Sequence, residues 1–159
     1  MRRWSPVLAL LAACASAGDP GRAATSSAAS AGTSATATGP TLYQRLGGRP
    51  AIDAVVDTFV TNVGRDPRVN VRFLLTDLDA LKLHLSEQIC EGSGGPCKYH
   101  GRPMKALHAP MKVRGAEFDA MAEDLAAALK THGVPARESQ EVLALVGSTR
   151  ADIVDAEAR

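Results

Sequence analysis

Aromatic side chains are scarce in this 159-residue chain: one tryptophan, two tyrosines and three phenylalanines, 4% of the residues. From Thr41 onward only Tyr43, Phe59, Phe73, Tyr99 and Phe118 supply ring volume for a core. Neither sign of charge dominates. With 18 basic and 17 acidic side chains, a net charge of +1 and no basic cluster, the chain lacks the electrostatic footprint of a nucleic-acid partner. Three cysteines do not complete a four-ligand zinc set. The longest apolar run, Pro6 to Ala13, is too short to cross a bilayer as a stable helix. No stretch alternates apolar and polar residues with period two, which leaves no signal for strands.

Met1-Arg2-Arg3 supplies a positive start, and the apolar run after it reads as a secretion signal, residues 1–13. That run ends in Leu11-Ala12-Ala13-Cys14, which resembles a bacterial lipobox; the resemblance implies lipidation of Cys14 and a membrane anchor. An ordinary cleaved signal ending near Ala17 is the alternative. Lipidation makes the protein an exported lipoprotein of the cell envelope. Ala15 after the cysteine fits outer-membrane sorting, facing the periplasm in a Gram-negative cell. Ala15 to Pro40 is almost wholly Ala, Ser, Thr and Gly, too poor in bulky apolar residues to offset ordering entropy, so 14–40 reads as a flexible tether. Loss of Arg2 and Arg3 leaves 16 basic against 17 acidic side chains. The folded part, 41–157, is nearly neutral.

Its pattern is helical. Leu42, Tyr43 and Leu46 make a short turn stopped by Gly47-Gly48, and Pro50 suits a first helical turn. Ile52, Val55, Val56, Phe59, Val60 and Val63 recur at steps of three and four until Asp66-Pro67. Thr76 or Asp77 caps the next helix, whose inward face carries Leu78, Leu81, Leu85 and Ile89 with His84 at its edge. Gly92-Ser93-Gly94-Gly95-Pro96 opens a loop of about ten residues to Met104, long for a small bundle. Phe118, Met121, Leu125 and Leu129 define a further helix, and Val142, Leu145, Val146, Thr149 and Ile153 the last. The domain is all-α. With so few rings, a buried planar cofactor would supply core volume, although alanine- and leucine-rich bundles also manage without one.

Beyond the glycine turn, Tyr99-His100-Gly101-Arg102-Pro103-Met104-Lys105-Ala106-Leu107-His108-Ala109-Pro110-Met111 sets His108 among apolar neighbours, where a neutral imidazole holds a metal or simply packs in a core. Other segments point to the first of these. Thr41-Leu42-Tyr43-Gln44-Arg45-Leu46-Gly47-Gly48, the Phe59 helix, Phe73, Gly94-Gly95, Tyr99-His100-Gly101, Met104-Lys105 and His108 follow the order and spacing of the truncated haemoglobins, most closely group I. The resemblance covers Thr41 to Val154. It implies a shortened globin fold in which two antiparallel helix pairs enclose one haem b, with the proximal helix reduced to a loop and one turn. His108 is then the proximal iron ligand and Phe73 packs on the porphyrin face. Phe59, Val60, Leu81, Leu85, Ile89, Leu107, Met111 and Phe118 line the pocket, and Lys105 pairs with a propionate or simply lies exposed.

The distal side departs from the family pattern. Val60 stands where many group I members have tyrosine, and Leu85 where glutamine is common; at Leu81 the family has glutamine or leucine. The pocket therefore lacks hydrogen-bond donors for a bound gas, each worth on the order of 1 kcal/mol. His84 falls where certain cyanobacterial members carry a distal iron ligand, so it is a candidate second axial ligand; the alternatives are a donor to bound gas, a propionate partner or a surface-edge histidine. Cys90 and Cys97 form a disulfide or remain two thiols; export favours the disulfide. These readings give a haem protein that reversibly binds O2, NO or CO, or transfers electrons to an unidentified redox partner. An NO dioxygenase or peroxidase served by a separate reductase is the enzymatic alternative, and a cofactor-free envelope lipoprotein the structural one.

Overall fold

The computed structural model describes residues 39–158. The signal segment and Cys14, with most of the tether, lie outside the described residues. Seven α-helices follow: α1 (Leu42–Leu46), α2 (Gly48–Arg65), α3 (Leu78–Gly92), α4 (Met104–His108), α5 (Gly115–Thr131), α6 (Ala136–Gly147) and α7 (Arg150–Ile153). Two single 3-10 turns, Asn70–Phe73 and Ala109–Met111, precede α3 and follow α4. Among the described residues there is no strand, only an isolated parallel bridge between Val113 and Val154.

Local chemistry explains the boundaries. Thr41 and Gln44 form a reciprocal capping box at the start of α1, each side chain bonding the other residue's backbone N–H. Gly47, at φ 96°, takes the left-handed conformation that ends α1 and turns the chain into α2. The predicted stripe of α2 is buried in full, from Ile52 to Val63. Asp77, rather than Thr76, caps α3: its carboxylate accepts from the N–H groups of Asp79 and Ala80.

The core forms where α2 packs against α3 and α5, while α6 closes over α5 and touches α1 and α3. Val56, Val69, Cys90, Leu129 and Val142 are almost wholly excluded from solvent. At the 4% to 7% exposures of Phe59, Val60, Ile89 and Phe118, each such side chain contributes roughly 1.5–3 kcal/mol of hydrophobic stabilisation. Arg45 pairs with Glu138 at 2.9 Å and also with Glu141, tying α1 to α6.

Two expectations need correction. The final apolar stripe is not one helix: Ser148 and Thr149 turn their hydroxyls back onto the carbonyls of Leu145 and Val146, and the helix breaks there before α7. Leu78 is exposed rather than facing inward, as are Val71, Leu74 and Leu75. They occupy the turn and the first position of α3, beyond the edge of the packed helices.

Candidate functional site

The loop-and-one-turn element expected between α3 and α5 is present as the segment 93–103 followed by α4. At the end of that single turn the Nδ1 of half-buried His108 lies 2.9 Å from the carbonyl oxygen of Met104. A carbonyl only accepts, so Nδ1 carries the proton and Nε2 keeps its lone pair. This is the tautomer of a metal-binding imidazole oriented by a backbone acceptor.

An ion cluster around the buried Glu117 carboxylate ties together the elements on either side of His108. Arg72, next to Phe73, donates from Nε and Nη2 to Glu117 at 2.9–3.0 Å and from Nη1 to the Met111 carbonyl at 2.7 Å. Glu117 also accepts from the backbone N–H and guanidinium of Arg114. Burial alone would raise this carboxyl, but the bonds from Arg114 and then Arg72 outweigh it and pull it down to about 2. Beyond Met111, Lys112 adopts φ 50° and pairs with Asp155 at 2.7 Å, while the Asp155 N–H donates to the Val113 carbonyl. The C-terminal segment thus braces the turn that carries His108.

Phe59, Val60, Ile89 and Phe118 are buried, and Phe73, Leu81 and Leu85 pack half-buried on the core that contains Phe59, Val60 and Ile89. Leu107, next to His108, and Met111, three residues on, are half-buried, and Lys105 is exposed. The Val60, Leu81 and Leu85 side chains carry no hydrogen-bond donor. A cavity of about 340 Å³ between the end of α3 and α4, bordered by Tyr99, Met104 and Leu145, is lined by neither His108 nor His84.

His84 does not simply look inward. Its side chain is 40% exposed; Nδ1 lies 3.3 Å from Glu87 Oε2, and its ring meets that of Tyr99 edge-on, with centroids 5.9 Å apart. Glu87 also takes the backbone N–H and Nδ1 of His100, both at 3.0 Å. The His100 backbone and side-chain bonds hold the Glu87 carboxyl down at about 2 against its burial, with His84 assisting. One turn on, Glu91 accepts from the Tyr99 N–H at 2.9 Å and from Lys98 at 3.0 Å. Cys90 and Cys97 are joined in a disulfide, Cα to Cα 5.7 Å. Three ties therefore fasten the loop to α3. Sequence reasoning missed Glu87, Glu91 and the Arg72–Glu117 cluster; a glutamate three residues after His84, on the same helix face, was the available signal.

Among the described residues no three or more His, Cys, Asp or Glu side chains gather to hold a bare ion. One ligand-ready imidazole with apolar neighbours fits an iron whose in-plane positions are filled by a macrocycle. The bacterial-like globin family matches residues 41–155. The chain belongs to the truncated haemoglobins. It is 38% identical to the group 1 truncated haemoglobin GlbN of Synechocystis over 112 residues, 68% of this chain and 90% of that protein. The Fe(III) truncated haemoglobin of Tetrahymena pyriformis superposes with a TM-score of 0.69 at 35% identity, over 72% of this chain and 98% of that one. The 2/2 haemoglobin of Synechococcus, solved in the cyanomet state with covalently attached haem, gives the same TM-score at 33% identity and the same coverage. The fold is the shortened all-α globin, and this truncated haemoglobin is a haem-binding protein with one haem per chain.

Proposed function

We propose that this truncated haemoglobin holds haem iron through His108 Nε2 and reversibly binds a diatomic gas, O2, NO or CO, or passes electrons to a separate redox partner. The observation that carries the reading is the His108 Nδ1 bond to the Met104 carbonyl, which leaves Nε2 free to ligate. Haem, when bound, supplies an iron that takes up gas or exchanges an electron. The chain's own residues do the rest. Phe73 and the buried residues of α2, α3 and α5 exclude water, half-buried Leu107 and Met111 supply apolar surface near His108 in the chain, and exposed Lys105 is available to a propionate. His84 would serve as a second ligand to the iron: its Nδ1 also has an acceptor, which leaves Nε2 to ligate. With Val60, Leu81 and Leu85 contributing no donor, the pocket favours release and electron exchange over the firm hold on dioxygen that an NO dioxygenase needs.

The test is the absorption spectrum of the purified protein. Wild type is expected to show a Soret band, with low-spin features from two axial histidines. His108→Gly should lose haem, and added imidazole should restore the band. Full haem retention by His108→Gly without imidazole would overturn the proximal assignment. We further propose that lipidated Cys14 anchors the domain at the cell envelope, supported by the Leu11-Ala12-Ala13-Cys14 sequence. Fatty-acid labelling of the expressed protein should disappear in Cys14→Ser; labelling that survives would refute the anchor.

A further inference from the structure

We propose that Glu87 is a positioning residue for His84, holding its imidazole with Nδ1–H toward the carboxylate so that Nε2 is the ligating atom. The inference rests on the reading of His84 as the distal ligand. It starts from burial: the Glu87 side chain is 12% exposed, and a carboxylate so enclosed requires its donors. They are the Nδ1 of His84, the Nδ1 of His100 and the backbone N–H of His100. The two from His100 fix both carboxylate oxygens in place. That anchor is itself held, because Cys97, three residues before His100, is bonded to Cys90, three residues after Glu87. The Glu91 bond to the Tyr99 N–H fastens the same backbone one residue earlier. Glu87 is thus engaged at both oxygens by the loop, including the backbone N–H of His100, while His84 meets it across a longer 3.3 Å. The carboxylate held by the loop sets the orientation of the imidazole.

The chemistry gives the carboxylate a further effect. His108 donates to a neutral carbonyl, whereas His84 donates to an anion, a stronger acceptor that makes the imidazole a more basic ligand. Such a ligand favours ferric over ferrous iron and resists displacement. Outer-shell carboxylates of this kind are worth about 10–100-fold in metal affinity.

The experiment uses the holoprotein in four forms: wild type, His84→Ala, Glu87→Gln and Glu87→Ala. Spectra, haem midpoint potential and the rate of CO binding to the ferrous form are measured for each. His84→Ala is expected to abolish the low-spin bands. Glu87→Gln retains an acceptor without the charge, and should raise the midpoint potential and accelerate CO binding about tenfold. Glu87→Ala should accelerate it further. Low-spin bands that survive His84→Ala would remove the distal-ligand reading and the proposal with it. Loss of those bands in His84→Ala, with potential and CO rate unchanged in both Glu87 variants, would overturn the proposal alone. Should the Glu87 variants fail to fold, 15N NMR of the His84 ring in diamagnetic ferrous wild type decides. A protonated Nδ1 supports the proposal, and a protonated Nε2 refutes it.

Discussion

Replacing Arg72 by methionine should destabilise the domain by about 3 kcal/mol, because it removes the main partner of the buried Glu117 carboxylate while conserving volume. The Glu117 side chain is 6% exposed and takes three contacts from the Arg72 guanidinium, against two from Arg114. Breaking such a pair from one side costs roughly 3–5 kcal/mol, and the surviving Arg114 bonds place the loss at the lower end. For a domain of this size the drop is about 12 °C in Tm, at roughly 4 °C per kcal/mol. The pH dependence makes the prediction specific. Glu117 titrates at about 2 in the folded protein against 4.5 otherwise, so its pairing stabilises fully above about pH 4.5 and is lost as pH falls toward 2. Without Arg72 its folded pKa rises toward the unfolded value, and the gap between wild type and variant narrows on acidification. Urea denaturation at pH 7, 5 and 3 measures both effects, with Glu117→Gln completing a double-mutant cycle. A loss below 1 kcal/mol at pH 7, or the same loss at pH 3, would refute the reasoning. The variant also frees the Met111 carbonyl that Arg72 holds at 2.7 Å, so haem should dissociate faster.

Reduction of the Cys90–Cys97 disulfide, which closes a sequence separation of 7 residues, should cost about 2.5 kcal/mol in the chain-entropy estimate, or roughly 10 °C in Tm. Thermal unfolding with and without reductant, with free thiols counted, checks it; an unchanged Tm after full reduction would contradict it. Gly95→Ala should destabilise by about 1–3 kcal/mol in urea, since a Cβ there falls 2.5 Å from the Tyr43 ring and 2.8 Å from the Cys90 carbonyl. Gly64→Ala is its control: a Cβ meets nothing within 4 Å near the end of α2, so stability should rise by roughly 0.5–1 kcal/mol. Leu75→Ser, at a side chain wholly exposed, should leave the urea midpoint within about 0.5 kcal/mol of wild type.

How far the sequence can be read divides along the range of the interactions. The α2 stripe from Ile52 to Val63 and the alternation of caps and glycines depend on neighbours within one or two turns, and periodicity carries them directly. The one-turn element that ends in His108 was expected from the family resemblance and not from periodicity, although its His108–Met104 bond is local. Where periodicity failed, hydroxyls competed with the backbone at Ser148 and Thr149. It failed again at Leu78, where the helical face begins before there is anything to pack against. The polar network was illegible for a different reason. Arg72 reaches Glu117 across 45 positions, and Glu87 reaches His100 across 13, and neither pairing leaves a periodic mark.

The orientation of His84 is therefore a tertiary property even though the residue was found from the sequence. A helical wheel places His84 at the edge of the inward face, but the wheel fixes a Cα–Cβ direction, not a ring plane. The His84 ring directs Nδ1 to Glu87, and Glu87 in turn bonds the loop that Cys90–Cys97 and Glu91 fasten to α3. That loop also runs into α4 and His108. A change in the loop therefore acts on both histidines, so reducing the disulfide should move the haem spectrum as well as the Tm. A reduced protein that loses stability but keeps its haem bands unshifted would separate the two roles and deny the coupling.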